Sequence, residues 1–199
     1  AILTTSSIAM AQKYYELLSR VKNGETSLVI NEKIKKVLPD FPKFAITYSI
    51  GDENADGALA NQDKMKVSLQ DYNKMFGTKY EIDQIKAYNQ NLNDRLARKV
   101  EKYKSRDEQL DLVIVVDRLL TGFDSPCLST LYIDRPPIQL PTFLQAFSRT
   151  NRIFESNKTY GQILTFQSPG TFQNRVQAML RLFSQGGETA ILAPSWEKI

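Results

Sequence analysis

The chain has 199 residues, 42% hydrophobic and 24% charged, with a net charge of +4 and a pI near 9.0. That length supports one sizeable domain with its own core, and the composition excludes a disordered chain; no apolar run approaches the roughly 18 residues of a membrane-spanning helix, and Leu3–Met10 lacks the basic start of a signal segment. With no histidine and one cysteine, Ser-His and Cys-His nucleophiles and an internal disulfide are excluded, a zinc site would need Cys and carboxylates alone, and the cysteine usage fits a reducing cytoplasm.

The mild positive excess suits contact with nucleic acid. The chain begins without Met, which suggests a piece of a longer protein. Ala1–Ser7 predicts a buried strand ending in the hydroxyl cluster Thr4, Thr5, Ser6 and Ser7. Ser7 suits the N-cap of a helix over Ile8–Val21, with an apolar stripe of Ile8, Ala11, Tyr15, Leu18 and Val21 and a close at Asn23-Gly24. Hydroxyls at a strand end beside a helix N-terminus can bind a backbone phosphate, and simple capping explains any one of them equally well. A short helix over Leu28–Leu38 is broken by Pro39 and Pro42, and Phe44–Ile50 predicts a second strand placing Tyr48 and Ser49 at the same edge.

Gly51–Asp63 lacks the Gly-Lys-Ser/Thr of a phosphate loop. Asp52, Asn54, Asp56 and Gly57, with Asp63 in the last place, approximate a calcium loop, but a strand precedes them and there is one copy. A solvated acidic loop that starts a helix is the expectation. Lys64–Ser105 predicts two helices broken near Gly77-Thr78, the second burying Ile82, Ile85, Tyr88, Leu92, Leu96 and Val100. The basic run Arg98, Lys99, Lys102, Lys104 and Arg106 is expected to be a solvated face, with contact to a DNA backbone the lesser reading.

Leu112–Asp117 is an apolar run suited to a strand buried on both faces of a parallel sheet. The loop after it puts Thr121, Gly122 and Asp124 where ligands gather in open α/β sheets, beyond the carboxyl ends of the strands. A strand over Leu131–Asp134 ends at Pro136-Pro137. Thr142 suits the cap of a helix over Phe143–Asn151 that turns Phe143 and Phe147 inward. Arg149 and Arg152, three apart, fall on one helix face. By spacing alone the favoured reading of these arginines is a salt-bridged surface helix paired with Asp117, Asp124 or Asp134, worth little. Gly161–Phe166 is the last strand and Thr171–Ser184 the last helix, with Val176, Met179, Leu180 and Phe183 as core; Gly186-Gly187 releases a tail carrying Pro194 and Trp196.

T-G-F-D-S-P at 121–126 followed by Q-A-F-S-R-T-N-R at 145–152 resembles motifs V and VI of superfamily-two helicases and translocases. The wording is closer still to the motor (R, or HsdR) subunit of type I restriction enzymes. The likeness extends to residues 1–18 and to F-A-I-T-Y-S-I at 44–50, so it covers most of the chain. Ser148 stands where many superfamily-two members have glycine, which is the restriction-subunit variant.

The resemblance implies a RecA-like α/β domain over residues 1–184, a mainly parallel sheet flanked by helices, with 185–199 a tail toward a missing C-terminal region. It implies that Arg152 is an arginine finger at the γ-phosphate of ATP and Arg149 its partner, both at the ligand-side rim of the sheet beside Gly122. Gly122 would let the backbone approach the nucleotide, Asp124 would contact the ribose hydroxyl or link to motif VI, and Gln145 opens that motif on the ATP side. Thr121, Thr5, Ser6 and Ser49 would touch the DNA backbone. The chain has no Walker A loop, no D-E-A-D/H-like acidic motif and no D/E-x-K tripeptide. Alone it is expected neither to hydrolyse ATP nor to cut DNA, and to bind no metal; ligands for Mg2+ are expected in a missing first lobe. Implied partners are double-stranded DNA, the methylation (M) and specificity (S) subunits, and the upstream lobe and nuclease domain of the same polypeptide, with no membrane. The alternatives are a motor lobe of another superfamily-two helicase or remodeller, and a non-catalytic nucleic-acid-binding module.

Overall fold

A computed structural model describes residues 1–28, 30–37, 40–50, 55–116, 125–136, 139, 145, 148–150, 152, 154 and 158–183. Five strands form one parallel sheet: β1 (Ile2–Thr5), β2 (Phe44–Thr47), β3 (Leu112–Val116), β4 (Thr130–Asp134) and β5 (Gln162–Thr165), in the spatial order β2-β3-β1-β4-β5. The register aligns Thr5 with Val116 on one side and Asp134 on the other. The carboxyl ends of the central strands therefore form one level rim. The central strands read as unbroken apolar or threonine runs because both faces are covered. Phe44 packs edge-on against Tyr15, with ring centroids 5.3 Å apart, while Thr47 donates at 2.5 Å to Asn89. Odd separation along a strand puts those two contacts on opposite faces, so the flanking helices lie on both sides.

Helix α1 (Ile8–Lys22) starts as expected: the Met10 N–H donates to the Ser7 Oγ at 3.2 Å, and Gly24 leaves with φ +73°. Helix α2 (Glu32–Val37) is short. Helix α3 runs over Ala55–Phe76, nine residues earlier than the sequence suggests, and stops where Gly77 takes φ +64°. The cation-like motif at 52–54 lies outside the described residues, and its last carboxylate, Asp63, pairs with Lys66 at 2.9 Å.

Helix α4 (Ile85–Ala97) buries Tyr88, Leu92 and Leu96, while Ile82 sits in the 3-10 turn before it. Val100 is a correction: it is 49% exposed. The helix ends three residues before it, because Arg98 turns left-handed at φ 52° and the Lys99 N–H closes onto the Asp94 carbonyl at 3.1 Å. That closing bond fixes the chain direction, and the helical period is lost. The basic run downstream is internally paired: Lys99 with Asp94, Lys102 with Glu108, Lys104 with Glu101 and Arg106 with Asp111.

The last helix, α5 (Pro169–Phe183), buries Phe172 to 3% exposure and half-buries Val176. The side chains of Met179, Leu180 and Phe183, the tail from 184 onward, and Thr142, Phe143 and Phe147 lie outside the described residues. No helix among the described residues is long and apolar enough to cross a membrane.

The sheet centre holds one polar oddity. Thr4 is 0% exposed and its Oγ1 has no hydrogen-bond partner among the described residues. A buried hydroxyl without a partner costs stability, and valine has its shape without its polarity. Thr4→Val is expected to raise the unfolding free energy by about 1 kcal/mol, read from denaturant midpoints at unchanged slope.

Candidate functional site

The level rim at the carboxyl ends of the strands carries the expected hydroxyls. Ser6 and Ser49 are exposed there. Thr5 is different: it is 0% exposed, and its Oγ1 donates to the carbonyls of Ser7 at 3.1 Å and Val115 at 3.4 Å. As the chain stands, Thr5 shapes the turn into α1 while Ser6 presents a hydroxyl to the outside. Asp134 ends β4 on the same rim, its carboxylate accepting from the Tyr14 hydroxyl at 2.7 Å and the Gln167 amide at 2.8 Å. Burial, then the hydrogen bond to Asp134, push the Tyr14 hydroxyl up to about 12, so it stays a donor at any working pH.

The arginine segment lies elsewhere. Gln145 and residues 148–150 are helical, and the Ser148 hydroxyl donates back to the Gln145 carbonyl at 2.8 Å. Thr150 is 2% exposed and sits against Gly161, where a Cβ would fall 2.2 Å from the Thr150 carbonyl oxygen. Gly161 immediately precedes β5. Thr150 is thus beside the amino-terminal ends of β4 and β5, about 13 Å from the hydroxyl rim at four steps of roughly 3.3 Å. The backbone at Thr150 lies toward the amino-terminal ends of β4 and β5, away from the hydroxyl rim.

The expectation that Arg149 and Arg152 share a helix face also fails. Arg149 is helical and half-buried; Arg152 is exposed and outside the helix. The cause is Lys158. A continuing helix would have the Phe154 N–H donate to the Thr150 carbonyl. Instead Phe154 pairs with the Lys158 carbonyl at 3.1 Å in an antiparallel bridge, and the Lys158 ammonium takes the Thr150 carbonyl at 2.9 Å.

The same ammonium donates to the carbonyls of Arg152 and, at 2.9 Å, Pro126. Pro126 lies two residues after Asp124. Its own turn is pinned to the end of α4, where the Ser125 hydroxyl and Cys127 thiol donate to the Leu96 carbonyl at 3.1 and 3.0 Å. The chain leaving the Thr121–Asp124 loop and the segment bearing the arginines are therefore packed in one place. Thr121, Gly122 and Asp124 themselves lie outside the described residues, as does Asp117. Lys158 escaped the sequence reading because nothing in its local pattern separates it from a surface lysine.

Residues 1–168 match the family described as type I restriction enzyme subunit R domain 3. The chain belongs to that family. Among similar curated proteins is the type I restriction enzyme SauCOLORF180P endonuclease subunit of Staphylococcus aureus (strain COL), 30% identical over 199 residues, which are 100% of this chain and 20% of that protein. The SsaAORF53P endonuclease subunit of Staphylococcus saprophyticus is 31% identical over 193 residues, 95% of this chain and 18% of that protein. The domain thus spans about a fifth of the length of these relatives. A solved structure, Mss116p DEAD-box helicase domain 2 bound to an RNA duplex, aligns over 98% of the domain and 52% of that chain at TM-score 0.37 and 12% identity. That likeness is distant and adds nothing to the family assignment.

Proposed function

We propose that this domain is the second, RecA-like lobe of an ATP-driven double-stranded-DNA translocase within a type I restriction enzyme R subunit. Residues 1–184 form the lobe and 185–199 lead onward. The observation that carries the reading is the packing of the chain after Asp124 against the arginine segment through Lys158. That contact unites two stretches whose residue types suit nucleotide chemistry.

A guanidinium is permanently charged and presents a planar fork that matches phosphate oxygens. Arg152 is the finger toward the phosphates of ATP held by the upstream lobe, and Arg149 supports it. Gly122 allows close backbone approach, Asp124 meets the ribose or ties to the arginine segment, and Gln145 lies on the nucleotide side. Magnesium comes with ATP, and its ligands belong to the upstream lobe.

The hydroxyl rim serves DNA: Ser6 and Ser49, with Thr121, donate to backbone phosphates, and Thr5 holds the turn that presents Ser6. Closure on nucleotide moves that grip along the DNA backbone. The methylation and specificity subunits, and the nuclease domain of the same polypeptide, are the partners of the whole protein, in the cytoplasm.

The test is ATP turnover by the full-length subunit with and without double-stranded DNA, repeated with Ser6→Ala and Ser49→Ala together. DNA-stimulated turnover is expected, with about tenfold more DNA needed by the double variant and an unchanged maximal rate. Salt-dependent DNA binding without DNA-stimulated turnover would favour a non-catalytic nucleic-acid-binding module.

A further inference from the structure

Lys158 is buried to 9% exposure, and the partners of its ammonium among the described residues are carbonyl oxygens, not carboxylates. Lysines are almost never this buried without a counter-ion. Among the described residues the charge is held by main-chain carbonyls: Pro126 and Thr150, each at 2.9 Å, and Arg152. An ammonium has three hydrogens and no acceptor, so these carbonyls use its whole capacity. Two of them come from the arginine segment and one from the exit of the Thr121–Asp124 loop.

We propose that Lys158 is a positioning residue for the reaction: it locks the backbone bearing Arg149 and Arg152 at a fixed place against the chain leaving the Thr121–Asp124 loop. The proposal deepens the nucleotide-facing reading of the arginines and rests on it.

Both sides of the lock are built to resist movement. The Pro126 side is tied to the end of α4 through Ser125 and Cys127. The arginine side is pressed against Gly161, which has no room for a Cβ beside Thr150. Lys158 itself is held by its bridge to Phe154. An uncharged side chain of similar length can fill the space but cannot gather three carbonyl oxygens. A phosphate-facing guanidinium displaced by about 1 Å can lose up to 10²-fold in rate while binding changes little.

The experiment uses the full-length subunit and measures DNA-stimulated ATP turnover and thermal unfolding for Lys158→Met, Lys158→Arg, Gly161→Ala and, as a control on the underlying reading, Arg152→Ala. Expected for Lys158→Met is a kcat lower by roughly 10- to 100-fold with KM for ATP within about twofold of wild type. Lys158→Arg is expected to recover part of the loss, because it keeps charge and reach but replaces a tetrahedral donor set by a planar fork. Gly161→Ala, which pushes on Thr150 from the other side, is expected to lower kcat in the same way. If Arg152→Ala abolishes turnover and a folded Lys158→Met keeps wild-type kcat, the positioning role is wrong and the arginine reading stands. If Arg152→Ala turns over normally, the arginine reading is wrong and the positioning role goes with it. Should Lys158→Met fail to fold, Lys158→Gln, which is uncharged and too short to gather the three carbonyls, decides: wild-type kcat in the folded variant overturns the proposal, and a lowered kcat at unchanged KM supports it.

Discussion

Arg152→Ala in the full-length subunit is expected to lower DNA-stimulated ATP turnover by at least roughly 10³-fold, the range of an arginine finger. Folding should survive. Arg152 is exposed and outside the helix, and its main-chain carbonyl, which Lys158 holds, is kept by alanine. Turnover and thermal unfolding measured on one preparation separate the two effects. Wild-type turnover in the alanine variant would remove the finger assignment.

The largest effect on stability is expected at Arg95. It is 2% exposed, paired with Glu108, and lies 4.0 Å from the Phe76 ring centre and 4.6 Å from that of Tyr103. It also donates at 3.0 Å to the Asn91 side chain and the Glu108 carbonyl. Arg95→Ala removes the contents of an aromatic slot and leaves several acceptors unsatisfied, so a loss of about 3–5 kcal/mol is expected in denaturant unfolding. A loss below 1 kcal/mol would show that the slot collapses without cost.

The pair also sets a pH response. The hydrogen bond from Arg95 holds the Glu108 carboxyl below its ordinary value of 4.5, against the opposing effect of burial, with Lys102 assisting. A depressed carboxyl contributes stability that is present above its unfolded value and is lost as pH falls through its folded one. Stability should therefore decline as pH drops below 4.5, and Glu108→Gln should flatten that decline.

Much of the architecture was legible because it rests on local rules. Ser7 and Gly24 mark the ends of α1, and the unbroken apolar run 112–116 announced a strand covered on both faces. Leu92 and Leu96 kept the helical period that Arg98 then ended. Val100 was misplaced because a helix end of this kind is closed by backbone bonds that no side-chain pattern displays. Nothing in the local pattern marks Arg95 as buried, because its slot is made by the rings of Phe76 and Tyr103 on neighbouring segments.

The candidate site was legible in its residue types and not in its geometry. The wording of 121–126 and 145–152 pointed to the chemistry. The placement of Thr150 beside the start of β5 follows from Gly161 and Lys158, which meet it only in three dimensions. Thr5 likewise has the residue type of a phosphate contact, but the register of β1 with β3 buries its hydroxyl against Val115.

In the proposed reading this domain completes a nucleotide cleft whose other half is an upstream lobe. The decisive experiment is a structure of the full-length subunit with double-stranded DNA, ADP, magnesium and a fluoroaluminate mimic of the transferred phosphoryl group. The Arg152 guanidinium is predicted to lie within about 3 Å of the mimic, with Lys158 still holding the Pro126, Thr150 and Arg152 carbonyls. A mimic bound between lobes with Arg152 turned to solvent and remote from it would contradict the account.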